Sequence, residues 1–105
     1  MSEIILYKNR TNRFKVNLGI DVSTDTFTCQ VREKALVTAP LIATATSVTF
    51  ETTGVDGVLY VLFDDSTLNA VTAKSGYLDL KRMSGGEPLP VFAPVKVKFQ
   101  EVVTA

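Results

Sequence analysis

The sequence has no histidine and no tryptophan, and its 105 residues include a single cysteine. Without histidine there are no Ser-His or Cys-His nucleophile systems and none of the common zinc sites. The lone Cys29 cannot form an internal disulfide and fits a reducing cytoplasm as the place of synthesis. Long apolar runs are missing too. No segment approaches the roughly 20 residues of a membrane-spanning helix, and the N-terminus lacks the basic-then-apolar pattern of a signal peptide. No membrane partner is expected. Nor does either sign of charge dominate: 11 lysines and arginines balance 11 aspartates and glutamates. That balance predicts no bulk attraction to nucleic acid or to anionic lipid.

What is present favours strands. Apolar residues make up 46% of the chain, enough for one compact core, and the length suits a single domain over 1–105. Threonine and valine, both strand formers, are abundant. The organising stretch runs over 54–79. Val58-Leu59-Tyr60-Val61-Leu62-Phe63 sits between the turn dipeptide Asp56-Gly57 and the polar Asp64-Asp65-Ser66-Thr67. The run is too short for a helix and reads as a strand buried on both faces. Asp64-Asp65-Ser66 predicts a cap on a short helix near 66–72. Gly76-Tyr77-Leu78-Asp79-Leu80 then opens another strand.

The remaining chain alternates. Residues 3–7 predict a first strand at an edge. Phe14, Val16, Leu18 and Ile20 alternate with Lys15, Asn17 and Gly19, the pattern of a half-buried strand. Phe27, Cys29 and Val31 form the apolar face of the next strand, which makes Cys29 a small buried hydrophobe rather than a nucleophile. Pro40 predicts a crossing loop or edge segment over 34–43. Thr46, Val48 and Phe50 share one face of a strand that a turn at 53–57 joins to the central run. Ser84-Gly85-Gly86-Glu87 is a hairpin signal. Leu89-Pro90-Val91-Phe92 reads as a proline-marked edge strand, and Val95, Val97 and Phe99 point inward from a last one. Only the first few residues and the tail at 102–105 are expected to fray. Seven or eight regularly spaced strands predict an all-β, antiparallel sandwich or small barrel, and the central run, apolar on both faces, favours the sandwich.

In order and spacing, several of these segments resemble a family of small tailed-bacteriophage and prophage proteins. They are Phe27-Thr28-Cys29-Gln30-Val31-Arg32, Asp56-Gly57-Val58-Leu59, the Asp-Asp-Ser-Thr helix start, Gly76-Tyr77-Leu78-Asp79-Leu80 and the closing Val102-Val103-Thr104. The family has an immunoglobulin-like sandwich, and related modules form N-terminal parts of baseplate upper proteins and of tail-fibre-associated proteins. The resemblance implies an immunoglobulin-like fold and a structural, non-enzymatic role in a tail, baseplate or fibre attachment. The chain would be made in the bacterial host cytoplasm and built into the virion. Its partners would be other phage structural subunits, including copies of itself. The resemblance implies no catalytic residue and no cofactor.

Candidate sites have competing readings. Asp56, Asp64, Asp65 and Asp79 offer the oxygens a calcium ion takes. Their spacing matches no loop motif, and turn-making at Asp56 and capping at Asp64 or Asp65 account for them. Lys8, Arg10, Arg13 and Lys15 form a basic cluster, but aromatic interleaving is thin. Charged side chains that shield an exposed strand explain them, and Lys96 and Lys98, without nucleic acid. Asn9-Arg10-Thr11 is a chance match to a glycosylation sequon. The edge segments Ile4, Ile5, Leu6 and Tyr7 and Leu89, Val91 and Phe92 are the candidate interface, pairing with a neighbour by strand addition. A loop-based host-receptor or carbohydrate module, using 34–41 and 53–57, is the alternative; those loops hold no aromatic residue.

Overall fold

The computed structural model describes residues 3–89 and 91–102. Expectations that touch Ser2, Pro90 or residues 103–105 lie outside the described residues. The elements are β1 (Ile4–Tyr7), β2 (Asn12–Asn17), β3 (Thr26–Arg32), β4 (Leu41–Thr44), β5 (Ser47–Phe50) and β6 (Val58–Phe63). They continue with α1 (Asp65–Asn69), β7 (Ser75–Ser84), β8 (Glu87–Leu89) and β9 (Val95–Gln100). The large sheet has the order β1-β9-β7-β3-β4, with β8 also on β7, and the small sheet has the order β2-β6-β5. The chain is therefore mostly β, in two sheets packed as a sandwich, with one short helix.

Three expectations are corrected. The sandwich is not wholly antiparallel: β1 runs parallel to β9, with Ile4 opposite Val97 and Tyr7 opposite Gln100. After β1 the chain turns at Asn9 (φ 60°) and crosses to the small sheet as β2, so β1 lies beside the last strand without a hairpin. Nine described strands replace seven or eight. The ninth is β4, at the edge of the large sheet as the edge reading of 34–43 expected; it begins just after Pro40, where the missing N–H lies outside the ladder. Nor is β6 buried on both faces. Leu59, Val61 and Phe63 are fully buried, while Tyr60 and Leu62 are half-covered by neighbouring side chains on the outer face.

Smaller differences have local causes. β2 stops at Asn17, whose Oδ1 accepts from the Gly19 amide at 3.0 Å. Gly19 takes φ +70°, so the alternation ends before Ile20, which is exposed. The helix spans one turn, Asp65–Asn69, with Asp64 as N-cap: its carboxylate accepts from the Thr67 amide at 2.8 Å. The strand expected over 89–92 ends at Leu89; Val91 and Phe92 leave the ladder and pack half-buried against the core.

The core follows from the alternation. Val31, Leu78, Leu80 and Val97 from the large sheet meet Leu59, Val61 and Phe63 from the small one, with Leu68 of α1 beside them. Burying each such side chain is worth about 1.5–3 kcal/mol. Phe27 of β3 meets Phe50 of β5 edge-to-face, with ring centroids 6.4 Å apart, and so ties the two sheets.

Candidate interaction surface

Groups that carry chemistry elsewhere are placed here as structure. Cys29 is buried on β3, and burial first, then the nearby Asp79 charge, pushes its thiol up to about 12. Asp56 accepts from the Val58 amide at 3.1 Å and shapes the turn before β6. Hydrogen bonds from the Thr67 hydroxyl and amide, then from Ser66, hold the Asp64 carboxyl below its ordinary 3.8. Asp79 lies on the other sheet. Among the described residues no three or more acidic or cysteine side chains come together as metal ligands.

The basic cluster is divided, with Lys8 apart from Arg13 and Lys15, which stay together beside Tyr60. Lys8 pairs with Glu101 at 3.2 Å and Lys15 with Glu51 at 2.9 Å. Arg13 lies 4.7 Å from the centroid of the Tyr60 ring, with the Lys15 ammonium 5.8 Å from it. Arg13 and Lys15 stand on β2, which is an edge strand, in keeping with a shielding role. Lys96 and Lys98 are different. They stand on β9, which is flanked by β1 and β7, so edge shielding does not explain them.

Strand β1 is at an edge of the large sheet, and its alternation divides the candidate residues. Leu6 is part of the core, Ile4 packs partly against it, and Ile5 and Tyr7 are 43% and 44% exposed. The open edge is partly closed already. Tyr7 donates its amide to Asn12 Oδ1 at 3.0 Å, and Asn12 Nδ2 donates to the Tyr7 carbonyl at 2.9 Å. By strand alternation Ile5 is left to offer its backbone on that edge. Val91 and Phe92 pack half-buried against the core, while Leu89, also half-buried, ends β8, which pairs with β7 alone.

The most developed surface is the outer face of the large sheet. Register aligns Arg32, Tyr77 and Lys96 in one row across β3, β7 and β9, with Ile5, Lys98 and Ser75 in another across β1, β9 and β7. Directly opposed residues share a face. The loop at 33–40 overhangs this face and closes a groove of about 290 Å³, with Thr28, Gln30, Tyr77, Asp79 and Lys81 among its walls. Arg32 staples the loop. Its Nη1 donates to the Ala39 carbonyl at 2.8 Å and its Nη2 to Gln30 Oε1 at 3.1 Å. The loop closes on itself through the Glu33 amide and the Pro40 carbonyl at 3.0 Å. Leu36 and Val37 are thereby held in solvent, 61% and 83% exposed.

Sequence reasoning missed Asp25. It is buried at the start of β3, and its Oδ2 accepts from Arg82 Nε at 2.6 Å. A signal was present in β7: Leu78, Leu80 and Arg82 share the inward phase, so a guanidinium on an apolar face required a partner. The exposed Tyr77 beside the 33–40 loop was missed as well, because alternation gives its face but not what folds over it.

Compared with protein-family models and with curated proteins, the chain matches none.

Proposed function

We propose that this protein is a non-enzymatic structural subunit of a tailed-phage or prophage particle, built on an immunoglobulin-like sandwich. It works by packing against neighbouring subunits, including copies of itself. The immunoglobulin-like reading is supported by the strand order β1-β9-β7-β3-β4 facing β2-β6-β5, with the first strand parallel to the last. The virion setting rests on the resemblance of the segments between Phe27 and Val102. The observation that carries the packing role is the distribution of exposed apolar side chains. Among the described residues, six of the eight large exposed ones (Ile5, Tyr7, Leu36, Val37, Leu41 and Tyr77) belong to the outer face of the large sheet or to the loop over it. Such a concentration suits an interface.

Two measurements test this. Light scattering after size exclusion, over a range of concentrations, should show the mass rising, and the Ile5→Lys/Tyr7→Lys variant should stay monomeric. A wild-type monomer throughout removes the self-packing part. Mass spectrometry of gradient-purified particles from the host that carries the gene should find peptides of this chain; their absence removes the virion setting.

The loop-based alternative has one observation in its favour. Tyr77 stands exposed in the groove below residues 34–37, an aromatic platform that the loops themselves lack. A glycan array with wild type and Tyr77→Ala separates this reading from the first.

A further inference from the structure

We propose that the groove on the outer face of the large sheet is the docking site for an acidic, extended segment of a partner protein that carries an apolar side chain among its carboxylates. The charge distribution argues for the acid. Lys34 and Lys81 line the groove, and Lys96 and Lys98 point outward from the neighbouring strand. None of these four forms an ion pair with any described residue. On the outward positions of β3, β7 and β9, Asp79 is the single acidic side chain. The chain as a whole is neutral, so positive charge is concentrated on this face. An approaching carboxylate is steered toward it and relieves the repulsion among the lysines.

The rim argues for the apolar side chain. Leu36 and Val37 are exposed on a loop pinned by Arg32, so their exposure is built in and not a consequence of a loose segment. A volume of about 290 Å³ admits one or two side chains, which suits a short segment and excludes a folded domain as the filler. Peptide is favoured over nucleic acid on two grounds. Among the described lining residues Tyr77 is the only aromatic on which a base could stack, and the exposed Leu36 and Val37 on the rim suit an apolar side chain rather than a sugar-phosphate chain. The inference deepens the packing role by naming a surface and a partner chemistry. Its test needs no self-association, so either can fail while the other stands.

The test is fluorescence anisotropy with a fluorescein-labelled peptide, Glu-Glu-Leu-Glu-Asp-Phe-Glu-Glu, at low and at high salt. Saturable binding that weakens with salt is expected. Lys34→Glu/Lys81→Glu should weaken it at least about tenfold, and Leu36→Ser/Val37→Ser at least about fivefold. All four positions are exposed, and unchanged thermal melts verify that the variants fold. No saturable binding at low salt, or affinity unchanged in the charge-reversal variant, overturns the proposal. Equal affinity for a peptide with serine in place of leucine and phenylalanine overturns the apolar half. Oligothymidylate binding more tightly than the peptide through the same lysines overturns it in favour of nucleic acid.

Discussion

Arg82 Nε lies 2.6 Å from Asp25 Oδ2, and the contact joins the loop before β3 to the far part of β7. Asp25 is held in place from its own side, since its amide donates to the Val22 carbonyl at 3.0 Å. The carboxylate side chain is 3% exposed and the guanidinium 19%. Two opposite charges have thus been taken largely out of water at the mouth of the sandwich, where Arg82 also borders a small cavity with Leu18, Ile20 and Val91.

Removing one partner of such a pair leaves the other charge buried and uncompensated. Asp25→Ala should therefore lower stability by about 3 kcal/mol, read as a shift in the urea midpoint. Replacing both groups, as in Asp25→Val/Arg82→Met, should recover most of the loss, because apolar side chains carry no desolvation penalty there. A double variant as unstable as the single would show that the pair contributes shape rather than charge compensation.

A second relationship is made by backbone alone. In the turn between β5 and β6, the Gly57 carbonyl accepts from the Leu18 amide and the Gly54 carbonyl from the Val22 amide, each at 2.9 Å. The turn is thereby docked onto the loop between β2 and β3. Gly57 has φ +77°, and a Cβ there would stand 2.4 Å from the Ile20 carbonyl oxygen. Gly85, at φ +59°, has nothing within 4 Å of its Cβ position. Gly85→Ala should cost about 1–2 kcal/mol from the left-handed backbone alone. Gly57→Ala should cost at least about 2 kcal/mol more, because backbone atoms must also move. Equal losses in denaturant titrations would mean that the docking of the two loops is soft.

These two cases mark what was legible in the sequence. Alternation located most strands, Asp56-Gly57 located the turn, and Asp64-Asp65-Ser66 located the cap, though not which aspartate makes it, because each signal is local. The Asp25–Arg82 contact and the parallel β1–β9 pair were not legible from local period. Both join residues far apart in the chain, and periodicity specifies which way a side chain faces, not which strand lies beside it. The same limit hid the groove. The outward phase of Arg32, Tyr77 and Lys81 could be read, but the 33–40 loop reaching over them could not. Lys96 and Lys98 were assigned to an edge for the same reason, since nothing in their own strand reveals that β1 covers its far side.

Cys29 offers a test of burial through proton linkage. Its folded-state thiol is raised from the ordinary 9.0 to about 12, chiefly by desolvation, with the Asp79 charge adding to it. The fold thus holds the neutral form, whereas an unfolded chain ionises near 9.0. The contribution is fully present below that pH and is lost as pH rises toward 12, with a slope of about 1 kcal/mol per pH unit. Urea midpoints at about pH 8 and about pH 10.5 should fall more in wild type than in Cys29→Ala, although tyrosines and lysines titrate in both. The variant starts lower, having lost a packed side chain, but its alkaline decline should be shallower. Ellman's reagent gives an independent reading at neutral pH: the thiol should react only as fast as the protein opens, and fully once it is denatured. A parallel alkaline decline in the two proteins, or prompt labelling of the native one, would place the β3 thiol within reach of water and would mean that the two sheets do not close over it.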